Sequence, residues 1–305
     1  MGRSPREGPP CGRKASRGVV HGRLTLLLLL AVALEAYPLS AQDPMPPMGP
    51  PSGLSAARPP AESLRTVDQV RGYLTTVRAG EIPDLKGLDL SRLDFTDLDF
   101  RKADLTGARL IGSTFDRANL FATDLTDAVV TDASFVEANL DGSTLRWADL
   151  KGAVLRRASL FATIMEATDL TGADLRDTRI IGYLRKANLA VANLAGTNAG
   201  ADPGNQSMGV MRAQFVSANL SGADLTGANL FKADLSYADL TGARLTGANL
   251  DCAELVGADL SRADLTDASV ALADLYGTIF TGAIGLSSLQ GLEQARNRDK
   301  AIFDQ

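Results

Sequence analysis

The residue types that carry most enzymatic chemistry are nearly missing from this chain. It holds one histidine, His21, and two cysteines, Cys11 and Cys252. His21 and Cys11 both fall within the first 41 residues, a stretch read below as a removable leader, so the mature chain would keep no histidine and one thiol. Cys–His and Ser–His–Asp schemes then lack their base, and a His-ligated or multi-Cys metal site lacks its ligands. One thiol closes no disulfide within the mature chain. Cys252 follows Leu250 in a bend, where it reads as a passive, exposed thiol. Neither a Walker sequence nor a G-x-G-x-x-G flanked by strand and helix occurs, and no cofactor is expected.

Carboxylates are the remaining candidates. Asp104, Asp124, Asp149, Asp169 and Asp174 share one position in a repeat, as do Asp224, Asp234, Asp239, Asp259, Asp264 and Asp274 further on. Paired-acid hydrolysis needs two such groups in a cleft. Regular recurrence instead spreads these acids over a convex, solvated surface. The chain reads as a non-enzyme.

What positions them is a period of five. From Leu90 to Ile180 every fifth residue is Leu, Phe or another large apolar side chain, and the pattern returns from Phe215 to Phe280. The residue two before each is Ala, Ser, Thr or, at the start, Leu. A helix turns about 100° per residue, so a five-residue step scatters these side chains around its circumference. A short extended piece of about three residues and a bend of about two fit better. In the extended piece, residues two apart point one way and the Asp or Asn between them points the other. Such units close only by winding, each turn stacked on the last, with Leu on the axis and a small residue beside it.

The units read A-D-L-T-G at 103, A-N-L-S-G at 218, A-D-L-T-G at 223 and A-N-L-F-K at 228. In this the chain resembles the pentapeptide-repeat family, whose consensus is A-(D/N)-L-x-x, over about two thirds of its length. The resemblance implies an all-β solenoid, a right-handed quadrilateral β-helix with four units per coil. Nineteen units over 86–180 and fourteen over 211–280 would make about eight coils, roughly 40 Å of rod at about 4.8 Å between strands.

Outside the repeats the chain divides as follows. Arg13, Lys14, Arg17 and Arg23 precede an apolar run from Leu24 to Leu34, and small residues end at Ala41, the layout of a secretory signal peptide over 1–41. The run is short of the roughly 20 residues that span a membrane, so membrane attachment is expected only if the leader stays uncleaved. Residues 42–61 form a Pro-rich linker. Thr66 and Gln69 suggest a capping box, and Val67, Val70, Leu74 and Val77 then share one helical stripe, giving an N-terminal capping helix over 62–80. A second, C-terminal capping helix is expected within 286–305, starting near Ser287. Repeats fill 81–285, with one irregular loop at about 195–212. The register slips just before it, because Ile180 to Leu189 is nine residues where ten are due.

The leader holds six basic and two acidic residues, leaving 25 basic against 34 acidic residues, a net of −9. A mixed, mildly acidic surface disfavours nucleic acid. Some members of the resembled family mimic acidic duplex DNA and bind topoisomerases. Here Arg101, Lys102, Arg109, Arg117 and Lys151 interleave with the acids, and the leader points out of the cytoplasm. With twenty residues per coil, Phe121, Phe161 and Ile181 share a face with Asp141 between the first two, a candidate partner-binding stripe. Arg156, Arg157 and Arg176 cluster on another face beside Asp116, Glu137 and Asp177. They read as an acidic-partner site or as a solvated ion-pair ladder. Trp147 sits in a bend beside Arg146, placed for a cation–π pair. The expected role is an exported, non-catalytic scaffold in a bacterial envelope, binding a protein or a cell-envelope polymer. Homodimerisation through an end or the Phe121 face is left open.

Overall fold

A computed structural model describes residues 64–201 and 212–304. The leader, the Pro-rich linker and the middle of the irregular loop lie outside these. From Asp84 onward the outward residue of each unit pairs in parallel with the outward residue one coil later, Asp84 with Asp104, Asp104 with Asp124, and Asp89 with Arg109. A twenty-residue repeat of bridges built from five-residue units is a β-helix with four units per coil. The central residues fill the axis. Leu90, Leu110, Leu120, Leu160, Leu220 and Leu250 are fully buried, and so are the alanines two before them, such as Ala118 and Ala218. Near the N-terminal end phenyl rings replace leucines, and Phe115 stacks on Phe135 one coil later at 5.0 Å.

The bends obey one rule. The N–H three after each central residue donates to that residue's carbonyl, as Ala108 does to Leu105 at 2.9 Å. The second bend residue takes positive φ, as in a type II turn. Glycine often occupies it, but Arg92, Asp97, Lys102, Arg157 and Tyr237 adopt φ of 58–61° there as well. A left-handed L-residue costs on the order of 1 kcal/mol. The stack offsets that cost, because each such residue donates its own N–H to the next coil, as Arg117 does to Val136 at 2.8 Å.

The outward Asp or Asn is part of the same machinery. It accepts the N–H two residues on, closing an Asx turn at the corner. Asp104 takes Thr106 N–H at 3.1 Å and Asn219 takes Ser221 N–H at 3.0 Å. This explains why acids recur without forming a site.

Helix α1, Val67–Thr76, begins with the expected capping box between Thr66 and Gln69. It buries Val70 and Tyr73 against the first coil. The Tyr73 hydroxyl accepts the Asp84 N–H at 3.0 Å and donates to the Asp84 carbonyl at 3.2 Å. One side chain thus replaces both backbone partners that a preceding coil would supply.

The C-terminal segment corrects the sequence reading, because no α-helix forms after Ser287. Outward positions continue at Ile284, Gln290, Arg296 and Ile302, each bridged to the coil below. The last corners take six residues instead of five. The 3₁₀ turns Leu292–Gln294 and Arg298–Lys300 follow the left-handed residues Gly291 and Asn297. The polar Gln290 and Arg296 suit outward sheet positions, and their spacing of six defeats both the five-residue and the helical templates.

The register slip resolves into a single four-residue unit. Strand β1, Ser159–Ile164, pairs in parallel with β2, Arg179–Tyr183, and the register shifts by one between Phe161 and Ile164. Leu184 is buried only four residues after Ile180. With one corner residue removed, the chain is pulled inward. A Cβ on Gly182 would meet the Thr163 carbonyl oxygen at 2.5 Å. The expected loop is also narrower than 195–212, since Asn198 still bridges to Asn229 and Ala199 is buried.

Candidate functional site

Among the described residues no group of His, Cys, Asp and Glu is placed to hold a metal, and no helix is long and apolar enough to cross a membrane. What the fold offers is an ordered exterior of sides and corners.

The three arginines singled out in the sequence meet a corner rich in alternating charge. Arg117 donates to Asp97 at 2.8 Å, and Arg157 to Glu137 at 2.7 Å. Arg176 reaches Asp174 at 2.6 Å, and Arg156 lies 3.6 Å from the same carboxylate. The Arg176 hydrogen bonds hold the Asp174 carboxyl below its ordinary value, and Arg117 does the same for Asp97. The geometry is therefore that of a solvated ion-pair ladder. Such exposed pairs contribute little individually.

The aromatic stripe is incomplete. Phe121 is 43% exposed and Phe161 partly so, but Ile181 is 2% exposed. Ile181 occupies the four-residue unit, where the shortened corner turns it inward. Arg179 lies over the Phe161 ring at 4.3 Å. Trp147 is 58% exposed, yet the expected pair with Arg146 is replaced by an Arg146–Glu166 contact at 3.7 Å. Tyr237 stands on the same corner as Trp147, four coils later, with its ring over Gly257, where a Cβ would sit 2.8 Å from it. Cys252 corrects another expectation, being 8% exposed where an exposed thiol was expected.

Sequence reasoning also missed a recurrent contact between coils. Where Ser fills the outward position, no local carboxylate accepts the N–H two residues on. At Ser134, Ser159 and Ser269 the acceptor comes instead from Asp116, Asp141 and Asp251, eighteen residues earlier on the preceding coil. Asp141 accepts from the Ser159 hydroxyl at 2.5 Å and from Phe161 N–H at 2.9 Å. Asp116 accepts likewise from Ser134 and Val136, and Asp251 from Ser269 and Ala271. The signal is visible in the sequence as a corner Asp with Ser eighteen residues on. Arg212 was overlooked too. Re-entering after the irregular loop, it forks onto Glu254 at 2.9 Å and touches Asp234 at 3.3 Å.

A family model described as pentapeptide repeats, in eight copies, matches residues 84–117, 113–152, 138–177, 211–247 and 243–282. No curated protein sequence matches. Solved structures do. One is HetL from the cyanobacterium Nostoc, described as a pentapeptide repeat protein involved in heterocyst differentiation regulation. The match has 28% identity and a TM-score of 0.48, covering 78% of this chain and all of HetL. A pentapeptide repeat protein from the Arabidopsis thaliana thylakoid lumen matches at 29% identity and a TM-score of 0.30, over 30% of this chain and 64% of that one. QnrB1, described as a plasmid-mediated fluoroquinolone resistance protein, matches at 21% identity and a TM-score of 0.38, over 73% of this chain and 90% of its own. With the family model covering more than half of the sequence, the chain belongs to the pentapeptide-repeat family.

Proposed function

We propose that this protein is an exported, non-catalytic scaffold whose right-handed, quadrilateral coil presents a rigid surface to a protein or polymer partner in a bacterial envelope. In this reading α1 serves as the lid of the N-terminal end. The observation that carries the scaffold role is the distribution of groups. Leu, Phe and Ala occupy the interior of each coil, and the charged groups lie outside, paired with one another. That arrangement offers surface and no chemistry. Pull-down from an envelope extract with the immobilised rod tests it, and recovery of no partner under any extraction condition would count against it.

Export rests on the leader. A fusion of residues 1–41 to a reporter should be secreted, and cytosolic retention would overturn the location. The mass of the exported protein decides whether residues 1–41 are removed.

The net charge of −9 favours a second reading, a DNA-mimicking regulator of a topoisomerase. The alternation of Arg117 and Arg157 with Asp97 and Glu137 breaks up the continuous acidic surface that mimicry requires. Inhibition of supercoiling at low protein concentration would reverse that preference.

A further inference from the structure

Every outward position owes the backbone the same service, an acceptor for the N–H two residues on. Three sides of the coil meet it at several positions with acids. Asp124, Asp224 and Asp259, one on each, bond their N–H groups at 2.9–3.0 Å. The fourth side, running from Asp99 to Gln290, differs. After Asp99 it carries no acid, and five of its positions are Asn119, Asn139, Asn198, Asn229 and Asn249. Asn119, Asn139, Asn229 and Asn249 perform the same corner bond, at 3.0–3.2 Å. Aspartate would serve the fold equally well, as it does on the other sides. The absence of charge is therefore not a demand of the coil.

The amides form a ladder along the rod. Asn229 Nδ2 donates to Asn198 Oδ1 at 2.9 Å, Asn139 to Asn119 at 3.4 Å and Asn249 to Asn229 at 3.5 Å. Each amide nitrogen has two N–H groups, so one remains for a ligand after the ladder is made. Ser159 and Ser269 fill two further positions, and the border carboxylates Asp141 and Asp251 are engaged by them. Arg179, the one basic group on this side, lies against Phe161. Phe121, Phe161 and Phe231 stand on the adjoining corner, each two residues after an outward position of this side.

A row of neutral donors bordered by aromatic rings is the chemistry that recognises hydroxyls and the apolar faces of sugar rings. An anionic polymer would call for a row of cations, whereas this side offers Arg179 alone at an outward position and Lys232 at its border, each set over a phenyl ring. A cationic partner would prefer the three acidic sides. We propose that the Asn119–Gln290 side is a docking surface for a neutral polysaccharide, an inference that rests on the scaffold reading and names its partner class.

Affinity electrophoresis of the full chain through gels containing amylose, hydroxyethyl cellulose or galactomannan tests this. Retardation by at least one polymer is expected. It should weaken at least tenfold in N119D/N139D/N229D/N249D, which keeps every corner acceptor while removing the donors. A thermal melt checks that this variant is folded; F121S/F161S, which leaves the ladder intact, supplies the test if it is not, with at least a fivefold loss. No retardation by any of the three, equal retardation of a folded variant, or stronger retardation by polygalacturonate overturns the proposal. Capture of a protein partner equally by wild type and the Asn→Asp variant would overturn it while leaving the scaffold reading intact.

Discussion

A single carboxylate shows how tightly this coil accounts for its backbone. Asp141 accepts from Phe161 N–H and from the Ser159 hydroxyl, taking the place of the outward acid or amide that accepts this N–H in other units. Asp141→Ala should leave that amide without its acceptor and cost about 1 kcal/mol. The loss should be recovered by adding Ser159→Asp, which restores a local acceptor. Urea melts of the two variants and the wild type check this, and failure of the second change to rescue would show the contact to be incidental. At this scale much was legible in advance. The inward Leu and Ala and the outward Asp follow from alternation in a three-residue extended piece. Ile181 did not, because its burial depends on a missing corner residue rather than on its own type. Trp147 and Arg146 did not either, since adjacency in a bend fixes no direction, and Glu166 one coil away competes for the guanidinium.

At the scale of elements, the defect around β1 and β2 is the most informative part of the molecule. At most positions where Ser or Thr replaces the inward alanine, its hydroxyl donates to a central carbonyl on the preceding coil. Thr123 reaches Phe100 at 3.1 Å and Thr168 reaches Leu145 at 2.6 Å. Thr163, next to the four-residue unit, is fully buried with no partner for its hydroxyl. The corresponding carbonyl, Leu140, is taken by Ser143 at 2.6 Å. Thr163→Val removes an orphan polar atom and should be neutral or stabilising by up to about 1 kcal/mol. The same change at Thr168 breaks a made bond and should destabilise by about 1–2 kcal/mol. Opposite signs in thermal melts are expected; equal losses would mean that Thr163 has found a partner. The sequence announced this defect as a nine-residue step, but could not say which corner had lost a residue. The C-terminal corners hid for a related reason, because six-residue units match no template used to read the five-residue ones.

For the molecule as a whole, stability should depend on acid in one direction. The Ser91 hydroxyl bond holds the Asp89 carboxyl below its ordinary 3.8, and Thr96 and Thr266 do the same for Asp94 and Asp264. A carboxyl depressed on folding contributes stability that is fully present above the unfolded value and lost as pH falls through the folded one. The melting temperature should therefore stay level from about pH 8 to 5 and decline below about pH 4. Stacked coils also contact only their neighbours, so opening should start at the ends. The two ends differ. At the first coil Tyr73 bonds both backbone groups of Asp84, whereas the last coil closes through short 3₁₀ turns whose residues are largely exposed. Hydrogen exchange should run fastest at 285–304 and slower at 84–90. Tyr73→Phe keeps the ring in place and removes only the hydroxyl, so it should speed exchange of the Asp84 amide roughly tenfold, the equivalent of about 1.4 kcal/mol, while leaving 285–304 unchanged. Uniform acceleration along the chain would mean that the solenoid opens as one unit and that the tyrosine is no special guard of its first coil.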